Sequence, residues 1–316
     1  MKGLSSSQKA ALTGVVGSGS IRWNEPLSSW TTYRVGGPAD ALVTLLAVQE
    51  LPRLLTVCCQ QGIRWRALGR GSNILAADDG FRGVIIVLDG EFKYIVRQRQ
   101  EGSRVLVKTG AAVSLPHLSG WCGDEGYGGL EFAVGIPGSV AGAVMMNAGA
   151  WGGEISQVVV AVELVGPDGV HLEQAGDLRF GYRCCHALRG QRQQRVISAV
   201  QFLLNDAEPE IVKKKMRDFR ERRNSSQPVG QASGGCVFKN PPGLSAGRLI
   251  DEAGLKGLRI GDAMVSDVHA NFLVNCGRAR ALEIAQLIEV VRARVMAATG
   301  VLLETELELL AAEGGP

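Results

Sequence analysis

An arginine, a thiol and a run of carboxylates, far apart in the chain, are the side chains best suited to chemistry. In FGYR, residues 180–183, Tyr182 precedes Arg183. The rigid, permanently charged arginine fork suits a carboxylate or a developing enolate. In SGGCVFKNP, residues 233–241, Cys236 sits on a glycine-flanked turn with Lys239 and Asn240 close behind. It offers a proton or a nucleophile, and no histidine is near enough in sequence to suggest a protease-like pair. The closing ETELE carries Glu304, Glu306 and Glu308. On a regular strand these share one face, which is costly to bury without a partner or a proton. SDVHANFLVN sets His269 and Asn271 at alternate strand positions, so the two are expected to point the same way. Four histidines spread from 117 to 269 do not gather into a metal site, and no metal is expected.

Three glycine clusters supply the backbone counterpart. TTYRVGGPAD (31–40) and LGRGSNIL (68–75) place glycines where strands end, leaving N–H groups free to converge on phosphate, while Ser72 and Asn73 add side-chain hydrogen bonds. Neither is the GxGxxG of a dinucleotide fold, and GRGSN lacks the Lys-Ser/Thr ending of a nucleotide-triphosphate loop. The longest cluster, GGLEFAVGIPGSVAGAVMMNAGAWGG from Gly128 to Gly153, carries no charge after Glu131 until its end. So many fixed glycines imply turns, left-handed positions or close approach to a ligand. Either of the first two clusters alone reads equally well as a structural turn; the three together favour a diphosphate-bearing cofactor.

The elements that must position these groups alternate between strands and helices. Strands are expected at Ala41 to Leu46, Arg64 to Leu68, Gly83 to Leu88, Val105 to Thr109, Val158 to Val165 with a GPDG hairpin, Val196 to Leu204, and Ala270 to Asn275. Helices are expected at Gln49 to Gln61, Leu115 to Gly123, Glu210 to Asn224, Ala246 to Ala253 and Ala279 to Ala298. Leu302 to Leu310 reads as a final strand, and the pattern is α+β. A 316-residue chain divides most naturally into two or three domains. A net charge of +3 without a basic tail argues against nucleic-acid binding. Seven cysteines without metal-ligand spacing read as reduced thiols of a cytoplasmic protein. Met1 to Gly19, mostly Ser, Gly and Ala, lacks the apolar core of a signal peptide, and no membrane-spanning run is present.

In order, TTYRVGGPAD, LGRGSNIL, GIPGSVAGAVMMNAGAWG, FGYR, GGCVFKNP, LIDEAGLKG, HANFLVN and LETEL closely resemble the UDP-N-acetylenolpyruvoylglucosamine reductase family, over about residues 22 to 310. The resemblance implies a two-lobed FAD-binding region of vanillyl-alcohol-oxidase (PCMH) type at 22–206, with lobes of about 22–90 and 91–206. A C-terminal α+β substrate domain at 207–316 follows, and 1–21 is left as a partly ordered lead-in. The absence of a long insertion after FGYR looks like the shorter form of the enzyme, without the extra substrate loop. The implied reaction reduces UDP-N-acetylglucosamine enolpyruvate to UDP-N-acetylmuramate for peptidoglycan synthesis, with FAD and NADPH. A monomer is expected, because no exposed apolar helix stands out as a partner surface. NADPH gives hydride to flavin N5; the alkene then takes hydride at C3 and a proton at C2.

By motif, Arg183 and Glu306 resemble the pair that polarises the substrate carboxylate, and Cys236 stands where a serine or cysteine donates the proton. Tyr33, Arg34, Val35, Gly36, Gly37 and Pro38, with Gly69, Arg70, Gly71, Ser72 and Asn73, resemble the segments holding the flavin diphosphate. Gly135, Ile136, Pro137, Gly138 and Ser139, with Asn147, Ala148, Gly149 and Ala150, resemble those along its buried length. Tyr182, Arg222, Gln227, Lys239, Asn240 and His269 are expected around the substrate. Cys236 departs from the commoner serine: with a free pKa of about 8.5 it donates more readily than an alcohol but invites oxidation. LETEL lacks a frequent middle proline, and Cys184 and Cys185 replace more usual residues after FGYR. Two other readings stay open: a different oxidoreductase on the same flavin scaffold, and a noncatalytic nucleotide-binding protein, which would not be yellow.

Overall fold

Near-continuous apolar runs early in the chain become strands covered on both faces. In the computed structural model, which describes residues 3–191 and 194–312, Pro38–Leu45 lies between Ile21–Pro26, antiparallel, and Phe81–Leu88, parallel. Trp65–Ala67 adds a second parallel pair at the edge. Leu51, Leu54, Leu55 and Cys58 of helix Glu50–Gln60 cover one face of this sheet, because their three- and four-residue spacing makes a single stripe. Leu27, Leu42, Phe81 and Ile85 fill the other.

Residues 1–21 were expected as a partly ordered lead-in, yet they carry helix Ser6–Val16. A capping box closes its first turn: the Gln8 amide donates to Ser5 Oγ and the Ser5 amide to Gln8 Oε1. Leu12 and Val16 are buried with the stripe of Glu50–Gln60. Two well-spaced apolar residues suffice where a neighbouring helix already offers a face, although the Ser- and Ala-rich composition hides them.

The second sheet is antiparallel, in the order Gly169–Gln174, Val159–Gly166, Val196–Asp206, Arg104–Gly110, Ile95–Glu101. Its edge strand Ile95–Glu101 is absent from the expectations above. Almost every residue in it is exposed, so it lacks the alternation that betrays a half-buried strand. Helices Leu115–Glu125 and Val140–Met145 pack on this sheet.

A third sheet, Ala232–Cys236, Phe272–Asn275, Ala263–Val265 and Arg259–Ile260, is covered by helices Ala246–Glu252 and Ala281–Thr299. The tail was expected to be one strand from Leu302 to Leu310. Only Glu308–Leu310 forms one, parallel to Ile74–Ala76, while Thr305 makes an isolated bridge to Phe238. The backbone changes partners midway: the Glu306 amide donates to the Val237 carbonyl, and the Glu308 amide to that of Asn73. The regular pleat is therefore broken, and Glu304, Glu306 and Glu308 reach Lys239, Arg183 and Arg66 respectively.

Asp78, beside the first sheet, accepts from the amides of Ala281 and Leu282 at 2.9 and 3.0 Å, satisfying the first turn of a helix 203 residues away. No helix among the described residues is long and apolar enough to cross a membrane. Asp78→Ala is expected to lower stability by about 1–2 kcal/mol, the usual cost of losing such a cap. Urea titration checks it; an unchanged midpoint would mean that the contact contributes nothing.

Candidate active site

Where the three sheets meet, the chain encloses a cavity of about 940 Å³. Gly69, Arg70, Gly71, Ser72 and Asn73 form one wall, opposite Ile136, Pro137, Gly138 and Ser139, with Ala148, Gly149 and Ala150 further along. The first turn depends on glycine at two positions. At Gly71, φ is +60° and a Cβ would overlap the Trp30 carbonyl; at Gly69 a Cβ would lie 2.5 Å from Ser139 Oγ. Ser72 Oγ donates to the Pro137 carbonyl at 2.8 Å and ties the two walls together. Among the described residues, the amides of Gly69, Arg70, Gly71 and Ser72 have no protein acceptor, so they form a cradle for an anion.

The first glycine motif does something else. Ser29 to Thr32 reach the cavity, whereas Tyr33, Arg34, Val35, Gly36, Gly37 and Pro38 are not on its wall. Tyr33 and Val35 are buried in the core of the third sheet and Arg34 is exposed. Pro38 opens a strand. Gly36 and Gly37 are needed for packing: a Cβ on Gly36 would meet Ala76 Cβ at 2.6 Å, and one on Gly37 would overlap the Asp78 carbonyl. Gly135 and Asn147 are also off the wall. Asn147, at φ +41°, accepts from the Ser156 amide and donates to the Gly181 carbonyl, which holds the loop carrying Arg183.

At one end of the cavity Arg183, Cys236 and Glu306 converge from three separate parts of the chain. Arg183 adopts φ +56°, and its Nε lies 3.2 Å from Glu306 Oε1. The contact is close but not aligned as a hydrogen bond. Both groups thus keep capacity for a ligand. Burial holds the Glu306 carboxyl above its usual range despite the opposing charge of Arg183. Cys236 ends the strand Ala232–Cys236 just after Gly235, at φ +79°, where a bulge turns the side chain into the cavity. Its thiol is pushed up to about 12, mainly by burial and next by Glu306, while Arg183 and Arg223 act the other way. The group is a neutral acid near pH 7.

Sequence reasoning named Arg222 and missed Arg223. Arg222 is exposed, whereas Arg223 lines the cavity beside Cys236 with no carboxylate partner among the described residues. The signal was present: Val212, Met216, Phe219 and Arg223 continue one stripe of helix Pro209–Ser226 at helical spacing. Gln227 lines the cavity with a buried, unpartnered Oε1. His269 lines it too; burial lowers its pKa, and its Nδ1 accepts from the Asn271 amide, so the neutral ring leaves Nε2–H toward the site.

Asn271 does not point alongside His269. Both precede the strand, which begins at Phe272, and Asn271 pairs with the backbone of Phe238 in both directions, at 2.9 and 2.8 Å. Lys239, Asn240 and Tyr182 are off the cavity wall. Lys239 pairs with Glu304 at 2.9 Å, Asn240 Oδ1 accepts from the Ala246 amide, and Tyr182 Oη accepts from the Asn240 amide at 3.4 Å. Cys184 and Cys185 are buried packing residues. Glu308 and Arg66, paired at 2.7 Å, form part of the cavity wall.

Two family models match: an FAD-binding domain over residues 39–174, and the C-terminal domain of UDP-N-acetylenolpyruvoylglucosamine reductase over 227–310. The chain is 42% identical to UDP-N-acetylenolpyruvoylglucosamine reductase 2 of Symbiobacterium thermophilum over 92% of each chain. It is 43% identical to the reductase of Desulfosudis oleivorans over 92% of this chain and 94% of that one. The crystal structure of the enzyme from Thermus caldophilus superposes with a TM-score of 0.77 at 39% identity, covering 92% of this chain and 99% of that one. With both domains matched and relatives above 40% identical over nine-tenths of their length, this chain belongs to the UDP-N-acetylenolpyruvoylglucosamine reductases.

Proposed function

We infer that this chain reduces UDP-N-acetylglucosamine enolpyruvate to UDP-N-acetylmuramate through FAD, in peptidoglycan precursor synthesis, with NADPH as the hydride source. The observation that carries this reading is the convergence of Arg183, Glu306 and Cys236 at one end of a cavity whose facing walls are glycine turns. Those walls fit FAD: the free amides of Gly69 to Ser72 suit its diphosphate, and Ile136, Ala148 and the methionines Met145 and Met146 offer apolar surface for a flat ring. The fold is read as the vanillyl-alcohol-oxidase type, with lobes of about 22–90 and 91–206 flanking the cofactor and residues 207–316 closing over the substrate. A monomer working in the cytoplasm agrees with a UDP-sugar and NADPH as its small-molecule partners.

FAD, which the amides of Gly69 to Ser72 and the apolar wall at Ile136, Met145, Met146 and Ala148 would hold, would supply the two-electron hydride chemistry of the reaction. The protein must hold the alkene in line, spread the charge pushed toward C2 and the carboxylate, and deliver one proton. Arg183 faces that carboxylate, and Arg223 adds a second, unpaired positive charge on the same side. Glu306 orients Arg183, while burial holds its carboxyl above the usual range despite that pairing. Cys236 gives its proton to C2: the S–H bond breaks, the C–H bond forms, and the thiolate is left between two arginines. Gln227 and His269 are assigned to the substrate, and Tyr182, Lys239 and Asn240 to the rim that meets the UDP group.

Anaerobic stopped-flow at the flavin band tests the reading. NADPH should bleach the protein, and the enolpyruvyl substrate should restore the colour; bleaching without recovery would reject the substrate. Cys236→Ser should retain turnover, while Cys236→Ala should keep the bleaching step and slow recovery by about 10²–10⁴. Near-normal recovery in Cys236→Ala would remove the thiol from the mechanism. Gly71→Ala forces a Cβ into the Trp30 carbonyl and should yield colourless protein on purification; a full complement of flavin would show that the turn is not the cradle.

The thiol also makes a pH prediction. Its folded pKa is pushed up to about 12, above that of a free thiol, so the stability tied to the neutral thiol is complete below the free-thiol pKa and declines as pH rises toward 12. Iodoacetamide at pH 8 should label exposed Cys59 and Cys276 well before Cys236. Peptide mass spectrometry reads the order; labelling of Cys236 first would contradict the raised pKa.

A further inference from the structure

Asn73 closes the anion cradle, and its motif points it at the cofactor diphosphate, yet its side-chain amide is committed to the protein. Its Nδ2 donates to the Glu306 carbonyl at 3.2 Å and to Met146 Sδ at 3.5 Å. The reverse orientation of the amide would set its oxygen against that carbonyl, so these contacts fix its sense. The Asn73 carbonyl in turn accepts from the Glu308 amide at 3.1 Å. Asn73 therefore grips the tail at both ends of the step from Glu306 to Glu308, while the Glu306 amide donates to the Val237 carbonyl at 2.7 Å. The loop that carries Asn73 is itself anchored, by Ser72 on Pro137 and by the Thr32 amide on the Gly71 carbonyl at 3.2 Å. Asn73, Met146 and Glu306 all line the same cavity. The Glu306 carboxylate lies 3.2 Å from Arg183 Nε without an aligned hydrogen bond, so its place is set by its backbone and not by its partner.

We propose that Asn73 is a positioning residue for Glu306: its hydrogen bond to the Glu306 carbonyl holds the carboxylate beside Arg183, so the loop that cradles the cofactor's anion also sets the pair that meets the substrate. The proposal rests on the reading of Arg183 and Glu306 as that pair. No proton or electron passes through the amide; it acts only on where Glu306 stands. Such placement matters, since shifting a reacting group by about 1 Å costs on the order of 10²-fold in rate. The contact with Met146 extends the same tie to the apolar wall offered to a flat ring, so that cradle, ring wall and carboxylate share one side chain. The charged groups acting on the carboxyl are Arg183 and Lys239, both opposing the burial that raises its pKa.

The test compares Asn73→Ala and the isosteric Asn73→Asp, in the full-length, FAD-loaded protein, with Glu306→Gln and with Asn73→Ala combined with Glu306→Gln. Flavin content and bleaching by NADPH should stay normal, because the amide serves the protein and not the cofactor. Recovery with substrate should slow about tenfold in both Asn73 variants, the scale of one lost hydrogen bond. Aspartate keeps the size of the side chain and removes the donor, which separates the hydrogen bond from packing. A Glu306 loosened by Asn73→Ala is better solvated and its pKa falls, so the acid limb of recovery, where Glu306 takes up a proton and releases Arg183, should move to lower pH. On top of Glu306→Gln, Asn73→Ala should slow recovery no further. Normal recovery in both Asn73 variants, an acid limb left in place, or a slowing that multiplies with that of Glu306→Gln would overturn the proposal. So would purification of the Asn73 variants without flavin, which would return the side chain to the cofactor. Normal recovery in Glu306→Gln alone would instead overturn the pairing on which the proposal rests. Should Asn73→Ala not fold, the recovery rate of Asn73→Asp decides.

Discussion

The ion pair between Arg183 and Glu306 is the constraint around which the molecule is arranged. One partner sits on a loop of the second sheet and the other on the last turns of the chain, at 3.2 Å. Holding a half-buried carboxylate and a guanidinium at that separation, without a fully formed hydrogen bond, requires that both backbones be fixed by something else. For Arg183 that support is Asn147, which grips the carbonyl of Gly181. For Glu306 it is the change of partner in the tail, bonded first to Val237 and then to Asn73. The tail thereby crosses from the C-terminal sheet to the cofactor wall, and the carboxylate is held where it crosses.

The same economy of contacts joins the two domains elsewhere. Asp78 caps a helix of the C-terminal domain from the FAD-binding domain, and Tyr33 buries its ring in the C-terminal core although its neighbours Thr31 and Thr32 line the cofactor cavity. The Tyr33 to Pro38 motif is therefore a joint. Gly36 and Gly37 allow the backbone to pass against Ala76 and Asp78, and their glycine character reflects sterics at a domain junction more than phosphate binding.

Electrostatically the site is poised between forms. Burial pushes both Glu306 and Cys236 toward their neutral states, while Arg183 pulls both toward the charged ones, joined by Lys239 at Glu306 and by Arg223 at the thiol. A thiol in such a place is a proton store before it is a nucleophile. This resolves the tension between donor strength and oxidation hazard: a thiol held protonated presents little thiolate to oxidants.

The amino-acid sequence by itself determined the elements and most of the chemistry. Helix stripes such as Leu51, Leu54, Leu55 and Cys58, apolar strands such as Phe81–Leu88, and the identities of Arg183, Cys236 and Glu306 follow from local pattern and ordered motifs, because periodicity and side-chain type are local properties. The exposed strand Ile95–Glu101 and the helix Ser6–Val16 were illegible for the opposite reason, since their hydrogen bonds and packing come from neighbours. Only the tertiary structure decided that Arg223 and not Arg222 faces the thiol, that Asn271 braces Phe238, and that three carboxylates in one short run go to three different cations. Each of these depends on which way a backbone turns when it meets a distant partner, and that direction is not written in the spacing of residues.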